Sequence, residues 1–193
     1  MVGVDLSQTM VDRSNEKAKR KGVENKVEFM VADAQNLPFD DGIFDAVICE
    51  SVNAFIKDKQ KAITEYTRVI KPGGYVGINE VTWLKPPPLD LVGYMTRMMG
   101  AKFLTCDDWK ELLEGSGLYE TVAIMYRTNA LRQWIDEIRQ LEFVDYLRAW
   151  GRFSFLFIRD PACRRFVKEA LAIPRSIFGL FKYFGYGIYV GRK

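Results

Sequence analysis

Short apolar runs alternate with longer amphipathic stretches through residues 1–82 of the chain. The apolar runs are too short for buried helices and predict β-strands, whereas the longer stretches repeat apolar residues with helical spacing. Strands separated by helices of about a dozen residues indicate a parallel sheet that is covered on both faces. The predicted strands are residues 2–6, 27–31, 44–49 and 75–82, and the predicted helices are residues 8–21 and 59–70.

Glycine and proline mark the ends of several of these elements. Gly22 is a natural stop for the first helix, because glycine accepts the left-handed conformation of a helix C-cap. The sequence Lys-Pro-Gly-Gly at residues 71–74 predicts a tight stop between the second helix and the fourth strand. Residues 37–42 predict a turn-rich connection.

The pattern changes after the rigid Pro-Pro-Pro break at residues 86–88. A Met-rich segment follows at residues 89–99, and residues 105–109 predict the capped start of a helix that ends near Gly115 or Gly117. Further on, the pattern predicts strands at residues 119–126 and 187–190 and helices at residues 130–148 and 160–173. We expect one domain over residues 1–193, with helical insertions at residues 83–104 and 127–184.

The composition is that of an ordinary globular protein, but its charge is unevenly distributed. Of 193 residues, 48% are hydrophobic and 27% are charged, which is enough for a buried core. Residues 146–193 contain ten Lys or Arg, two acids and 12 of the 26 aromatic residues. We favour a helical subdomain with a solvated basic face. The alternative is a hydrophobic pocket or an interfacial face that reaches a lipid-soluble or anionic partner.

Several classes of site and partner are excluded or disfavoured. The sequence has no histidine, which excludes Ser-His-Asp and Cys-His catalysis and HExxH zinc sites. Cys49, Cys106 and Cys163 form no CxxC pair, so we expect no metal site and a reducing, cytoplasmic location. Neither a signal peptide nor a membrane-spanning segment is predicted. No recognised motif accompanies the basic stretch, so we expect no nucleic-acid partner.

Acidic residues lie at the ends of three successive predicted strands: Asp5, Asp33 and Glu50. In an open parallel sheet, ligands bind beyond the carboxyl ends of the strands. A carboxylate there is placed to accept both hydroxyls of a ribose, and an acid at the next strand end can accept from an adenine amino group. Asp5 alone would also suit a helix N-terminus, and Asp33 alone a local turn. Together the three acids predict a cofactor that contains a nucleoside.

Four segments resemble the class I S-adenosylmethionine-dependent methyltransferases in order and spacing, most closely the branch of the ubiquinone and menaquinone C-methyltransferases. They are residues 2–10, 27–39, 44–51 and 68–75. The resemblance implies an α/β, Rossmann-like fold and S-adenosylmethionine as cofactor. It also implies methyl transfer to a small molecule, with hydrophobic molecules among the candidates.

The resemblance also implies a set of cofactor contacts at the strand ends. Asp5 would hold the ribose hydroxyls, Leu6 would pack on the adenine, and Asp33 would bond the adenine amino group. Glu50 and Ser51 would line the pocket near the amino-acid part of the cofactor. The complete set is Asp5, Leu6, Asp33, Ala34, Gln35, Glu50 and Ser51. No catalytic residue is assigned; the acids near pocket-side segments are Glu50, Glu80 and Asp90.

One part of the family pattern is missing. The family opens with a helix and then a strand that ends in a GxGxG loop, whereas this chain begins at the family's second strand and contains no GxGxG motif. We therefore expect a sheet that lacks its first, central strand, through N-terminal truncation of a longer methyltransferase or a rearrangement in which another segment fills the slot. The alternative function is a non-catalytic protein of this fold that acts through its aromatic, basic C-terminal region. Peripheral membrane contact and a homo-oligomer stay open.

Overall fold

In the computed structural model, residues 1–127 and 143–193 are described. The strands are β1 (Val2–Asp5), β2 (Glu28–Val31), β3 (Phe44–Glu50), β4 (Ile70–Trp83), β5 (Leu104–Thr105), β6 (Tyr119–Arg127) and β7 (Phe184–Arg192). The helices are α1 (Gln8–Lys21), α2 (Lys59–Val69), α3 (Leu89–Met99), α4 (Cys106–Gly115), α5 (Phe143–Arg159) and α6 (Pro161–Leu171), with 3-10 turns at Asn53–Phe55 and Arg175–Lys182. The alternation of strands and helices confirms the predicted α/β class.

The first βαβ unit has the predicted form. β1 and β2 pair in parallel, with Val2 opposite Glu28 and Asp5 opposite Val31. The bounds of α1 agree with the prediction, and Gly22 ends the helix with a φ of 64°. The helix buries a narrow apolar stripe, and its basic last turn suits the negative end of the helix dipole.

A second sheet has the strand order β3-β4-β7-β6, and β5 also pairs with β4. β3 and β4 are parallel. Hydrogen bonds from Gly73 N to Lys193 O (2.7 Å) and from Leu84 N to Tyr183 O (2.7 Å) show that β7 runs antiparallel to β4. The sheet is therefore mixed.

The Lys-Pro-Gly-Gly segment is not the stop that was expected. β4 begins at Ile70 and runs through the segment, and the register against β3 shifts between Phe44 and Ala46. Gly73 has a φ of 79°, and a Cβ on Gly74 would lie 2.8 Å from the carbonyl oxygen of Asp45. The segment is an irregular, glycine-dependent start of the strand, because a bulge absorbs the turn that proline and glycine would otherwise make.

The elements after residue 86 agree in kind with the sequence-based predictions, but their first and last residues differ. The Met-rich segment is α3, and Asp160 caps α6 by accepting from Ala162 N at 2.7 Å. Of the helix predicted at residues 130–148, residues 130–142 lie outside the described residues; the described α5 extends to Arg159, past the expected end. Among the described residues, no helix is long and apolar enough to cross a membrane.

The chain divides into two compact units. The first contains Met1–Glu80, Asp107–Ile124 and Ile188–Lys193, and the second contains Val81–Cys106 and Met125–Gly187. In the first unit, Trp109 of α4 is fully buried against Tyr189. In the second, three aromatic rings meet edge to face: Trp83, Phe103 and Phe184.

Candidate functional site

Asp5 and Asp33 come together at one end of the first sheet. β1 and β2 are parallel, and the backbone N of Ala32 donates to the carbonyl oxygen of Asp5 at 3.1 Å. Asp5 at the end of β1 and Asp33 just after β2 therefore lie at the same edge. Each carboxylate is held by the turn that follows it. Asp5 Oδ1 accepts from Ser7 N and Asp33 Oδ1 accepts from Gln35 N, both at 2.8 Å. The turns fix the positions of the two negative charges.

Gln35 connects this edge to the start of α2. Its side-chain amide donates to both oxygens of Asp33, and its Oε1 accepts from Asp58 N at 3.2 Å. The backbone and side-chain hydrogen bonds from Gln35 lower the pKa of Asp33, so this carboxylate is ionised at neutral pH. Leu6, which follows Asp5 in the sequence, is 74% exposed and offers an apolar surface. The edge thus presents acceptors with an exposed apolar side chain nearby.

The end of β3 has an unusual backbone. Ser51 has a φ of 54°, a conformation that costs about 1–3 kcal/mol for most residues other than glycine. Its N–H donates to the carbonyl oxygen of Asn79 at 2.8 Å. This turn directs the chain from Glu50 into the following 3-10 turn.

A buried carboxylate holds that 3-10 turn in place. Glu80 is fully buried, and its carboxylate accepts from the backbone N atoms of Val52 (2.9 Å), Asn53 (2.6 Å) and Ala54 (3.3 Å). Burial raises the pKa of Glu80, and the three hydrogen bonds oppose that shift. Glu80 therefore holds the backbone of the loop after β3, and we do not assign it as a general base.

Tyr66 and Asn53 extend this network towards Cys49. Tyr66 OH donates to Asn53 Oδ1 at 3.0 Å, and Asn53 Nδ2 donates to Cys49 Sγ at 3.2 Å. Burial raises the pKa of both the Cys49 thiol and the Tyr66 phenol, so both stay protonated at neutral pH. Sequence reasoning missed this network. The only local signal was an acid, Glu80, at the end of the apolar alternation of β4.

An apolar cleft of about 400 Å³ lies between β1 and β3. Its walls include Met1–Val4 and most of β3, but no residue of β2 or β4. Ile48, one of its wall residues, is 77% exposed. Among the described residues, β1 and β3 belong to separate sheets and do not pair. The absence of a central strand stays a prediction.

The structure distributes the seven predicted cofactor residues over two neighbouring places. Ala34 and Glu50 line the cleft. The other five lie at the ends of β1, β2 and β3 outside it: Asp5, Leu6, Asp33, Gln35 and Ser51. Asp90, one of the acids considered as a base, is in the second unit and accepts from Ser176 Oγ at 2.9 Å.

Residues 1–78 match the family model described as a methyltransferase domain. This segment contains β1, β2, β3 and all seven strand-end residues. Over these residues the chain is similar to methyltransferase domains.

Proteins similar to this chain carry names from the expected branch and beyond it. The chain is 39% identical over 193 aligned positions to tocopherol O-methyltransferase, chloroplastic, of Arabidopsis thaliana, which covers 94% of this chain and 52% of that protein. It is 38% identical over 98 positions to demethylmenaquinone methyltransferase of Thermus thermophilus, covering 51% and 42% of the two chains. The chain therefore spans about half the length of these curated relatives.

A solved structure supports the same fold. Geranyl diphosphate methyltransferase in complex with SAM has a TM-score of 0.69 and 14% sequence identity; the match covers 99% of this chain and 67% of that one. At this identity the likeness shows the fold alone, and it confirms the Rossmann-like class. The chain thus has the fold that its strand pattern predicted.

Proposed function

We propose that this protein is a methyltransferase that transfers the methyl group of S-adenosylmethionine to a small molecule. The observation that carries the proposal is the pair of carboxylates, Asp5 and Asp33, at the carboxyl ends of adjacent parallel strands within the segment that matches the family. Ligands bind at this edge in open α/β sheets. Both carboxylates are held by backbone N–H groups, and that of Asp33 is ionised.

The donors and acceptors at this edge fit a nucleoside. Asp5 would accept from the ribose hydroxyls, Asp33 would accept from the adenine amino group, and Leu6 would pack on the ring. Glu50 and Ser51 would border the amino-acid part. The cofactor supplies an activated methyl group on a sulfonium, and the protein's contribution is to position the acceptor in line with it. We assign no general base.

The acceptor is proposed to be a small hydrophobic molecule. The supporting observations are the names of the relatives, which act on tocopherol and demethylmenaquinone, and the many aromatic residues after residue 146. We also propose a cytoplasmic location, where the three free cysteines stay reduced.

Isothermal titration of the 193-residue chain with S-adenosylhomocysteine tests the proposal. Asp5→Asn and Asp33→Asn remove a charge but keep an oxygen that can accept from Ser7 N or Gln35 N, so the turns persist. We expect each variant to bind at least about tenfold more weakly, because hydrogen bonds to a charged group are worth about 1.5–3 kcal/mol. Asp12→Asn is the matched control, since Asp12 lies on α1 and, among the described residues, its side chain accepts from Gln8 Nε2 alone.

The results separate two failures. No heat of binding with the wild-type chain, in a sample whose circular dichroism shows the folded protein, contradicts the cofactor proposal itself. Equal affinity for the wild type, Asp5→Asn and Asp33→Asn contradicts the assigned contacts, because the cofactor would then bind elsewhere.

A further inference from the structure

The helical end of the second unit exposes large apolar side chains. We call described residues 150–182 the C-terminal helical surface; they include the end of α5, α6 and the 3-10 turn Arg175–Lys182. Phe178 is 90% exposed, and the burial of the others is also incomplete. A large cluster of exposed apolar side chains on a protein surface often marks an interaction site. The large exposed members are Trp150, Phe153, Phe155, Leu156, Phe157, Ile158, Phe166, Leu171, Ile173, Phe178 and Phe181.

Hydrogen bonds hold the pieces of this surface in place. Arg164 Nη1 donates to the carbonyl oxygens of Phe157 (3.1 Å) and Ile158 (2.8 Å) and so caps the end of α5. Tyr94 OH of α3 donates to the carbonyl oxygen of Ala170 at 2.9 Å. Ser176 Oγ, at the start of the 3-10 turn, donates to Asp90 of α3. Hydrogen bonds to α3 therefore fix the backbone that carries these exposed side chains.

The same surface is strongly basic. Residues 150–182 contain seven Lys or Arg and two acids. Arg164 is used in capping, and Arg159 lies over the ring of Phe155 at 4.9 Å. Within the described part of the chain, the remaining cations form no ion pair with a carboxylate: Arg152, Arg165, Lys168, Arg175 and Lys182. Their positive charge is available to an anionic partner.

Phe178 combines both properties within one short segment. It lies in the sequence Arg-Ser-Ile-Phe-Gly-Leu-Phe-Lys, which begins with Arg175 and ends with Lys182. Exposed aromatic residues between cations match the boundary of a bilayer, where acyl chains accept the ring and lipid phosphates accept the charges. An acidic protein would satisfy the cations but would leave Phe178 and Ile158 without a fluid apolar medium. The charge and the exposed rings together favour the bilayer.

We propose that the C-terminal helical surface docks the protein on an anionic phospholipid bilayer, with Phe178 entering the interface and Arg175 and Lys182 contacting lipid phosphates. Docking of this kind is reversible, because it rests on a few side chains and on charge. The proposal is independent of methyl transfer and of cofactor binding.

Co-sedimentation of the 193-residue chain with vesicles tests this docking. One set of vesicles contains phosphatidylcholine alone, and the other contains phosphatidylcholine with about 30% phosphatidylglycerol. We expect several-fold more protein to sediment with the anionic vesicles, and the difference to shrink at high salt, since each cation near such a surface contributes about a fivefold gain in binding. Phe178→Ser is expected to reduce binding about tenfold or more. Arg175→Glu with Lys182→Glu should remove the preference for anionic lipid.

The control is Val122→Ser, which changes a 58% exposed apolar residue of the first unit. We expect it to sediment as the wild type does. Because Phe178 is exposed, Phe178→Ser should keep the wild-type melting temperature and its affinity for S-adenosylhomocysteine. The proposal is overturned if the wild type fails to sediment with anionic vesicles, or if Phe178→Ser and Val122→Ser bind equally. It is also overturned if a polyglutamate peptide binds the chain more tightly than the vesicles do.

Discussion

The first unit and the C-terminal helical surface use similar apolar residues in opposite ways. In the first unit, α2 and α4 bury Ile63 and Trp109 completely. On the C-terminal helical surface, Trp150 and Phe178 remain largely in water although hydrogen bonds fix their backbone. A count of hydrophobic residues does not distinguish the two regions. What distinguishes them is whether an apolar side chain meets a second element of complementary shape.

Substitution of the two tryptophans tests that difference most directly. We expect it to give the largest change in the free energy of unfolding. Trp109 lies 6.1 Å from the ring centre of Tyr189 and is fully buried, so Trp109→Ala removes packing and leaves a cavity. We expect a loss of about 3–5 kcal/mol in the free energy of unfolding. Trp150→Ala, at a 53% exposed site, should cost less than about 1 kcal/mol. Urea denaturation followed by circular dichroism compares them.

If both tryptophan variants lost the same free energy, the contrast between the two regions would be wrong. Trp109→Phe provides a check on cavity size, because it keeps most of the ring and should recover part of the loss.

The next effect concerns a buried charge in the first unit. Glu80→Ala would leave the N–H groups of Val52, Asn53 and Ala54 without their acceptor, and we expect a loss of about 3 kcal/mol in unfolding free energy. Glu80→Gln keeps one acceptor oxygen and should cost less. A urea titration of both variants gives the two values.

Glu114→Ala is a suitable comparison, since Glu114 is exposed and, within the part of the chain that is described, its carboxylate accepts from Thr121 Oγ1 alone. A loss for Glu80→Ala as small as that for Glu114→Ala would show that the loop after β3 does not depend on the buried carboxylate.

The smallest effect is a pH-dependent one at an ion pair. Arg68 donates to both oxygens of Glu65 and to the carbonyl oxygens of Leu37 and Phe39, so it ties the loop before β3 to α2. The hydrogen bond from Arg68 lowers the pKa of Glu65. A lowered pKa in the folded state adds stability above the unfolded value of about 4.3, and this stability is lost as pH falls through the folded pKa.

Glu65→Gln should therefore destabilise the protein by about 1 kcal/mol at pH 7, because the pair is only partly shielded from water. The difference from the wild type should decline below about pH 4.3 as the wild-type carboxylate is protonated. Thermal unfolding between pH 3 and pH 7 provides the measurement. A difference that is constant over this range would mean that Glu65 acts through shape and neutral hydrogen bonds alone.

The sequence predicted the elements best where local chemistry determines them. α1 has the predicted bounds because an apolar stripe ends at Gly22, a residue that accepts the left-handed C-cap. The predicted start of β4 was wrong, because Ile70 already pairs with Phe44 of β3 and the backbone N of Gly73 donates to the carbonyl oxygen of Lys193. Local sequence signals therefore predict the bounds of an element only where no neighbouring strand provides competing hydrogen bonds.

The candidate site shows the same limit. The acids after β1, β2 and β3 could be found from the strand pattern, and the structure places Asp5 and Asp33 at one edge. The network of Glu80, Asn53 and Tyr66 could not be found, because it joins residues 13 to 27 positions apart through burial. The spacing of residues in the sequence does not indicate which loop a buried carboxylate will bind.

The two strands that border the cleft have a composition that natural sheet edges avoid. Exposed edge strands commonly carry lysine, proline or inward-pointing charges, which discourage the addition of a foreign strand. Here Val2–Asp5 is charged only at its last residue, and the centre of Phe44–Glu50 is Ala-Val-Ile-Cys. Both have the character of strands from the middle of a sheet. In concentrated solution, we therefore expect these two strands to be open to unwanted pairing between copies of the chain.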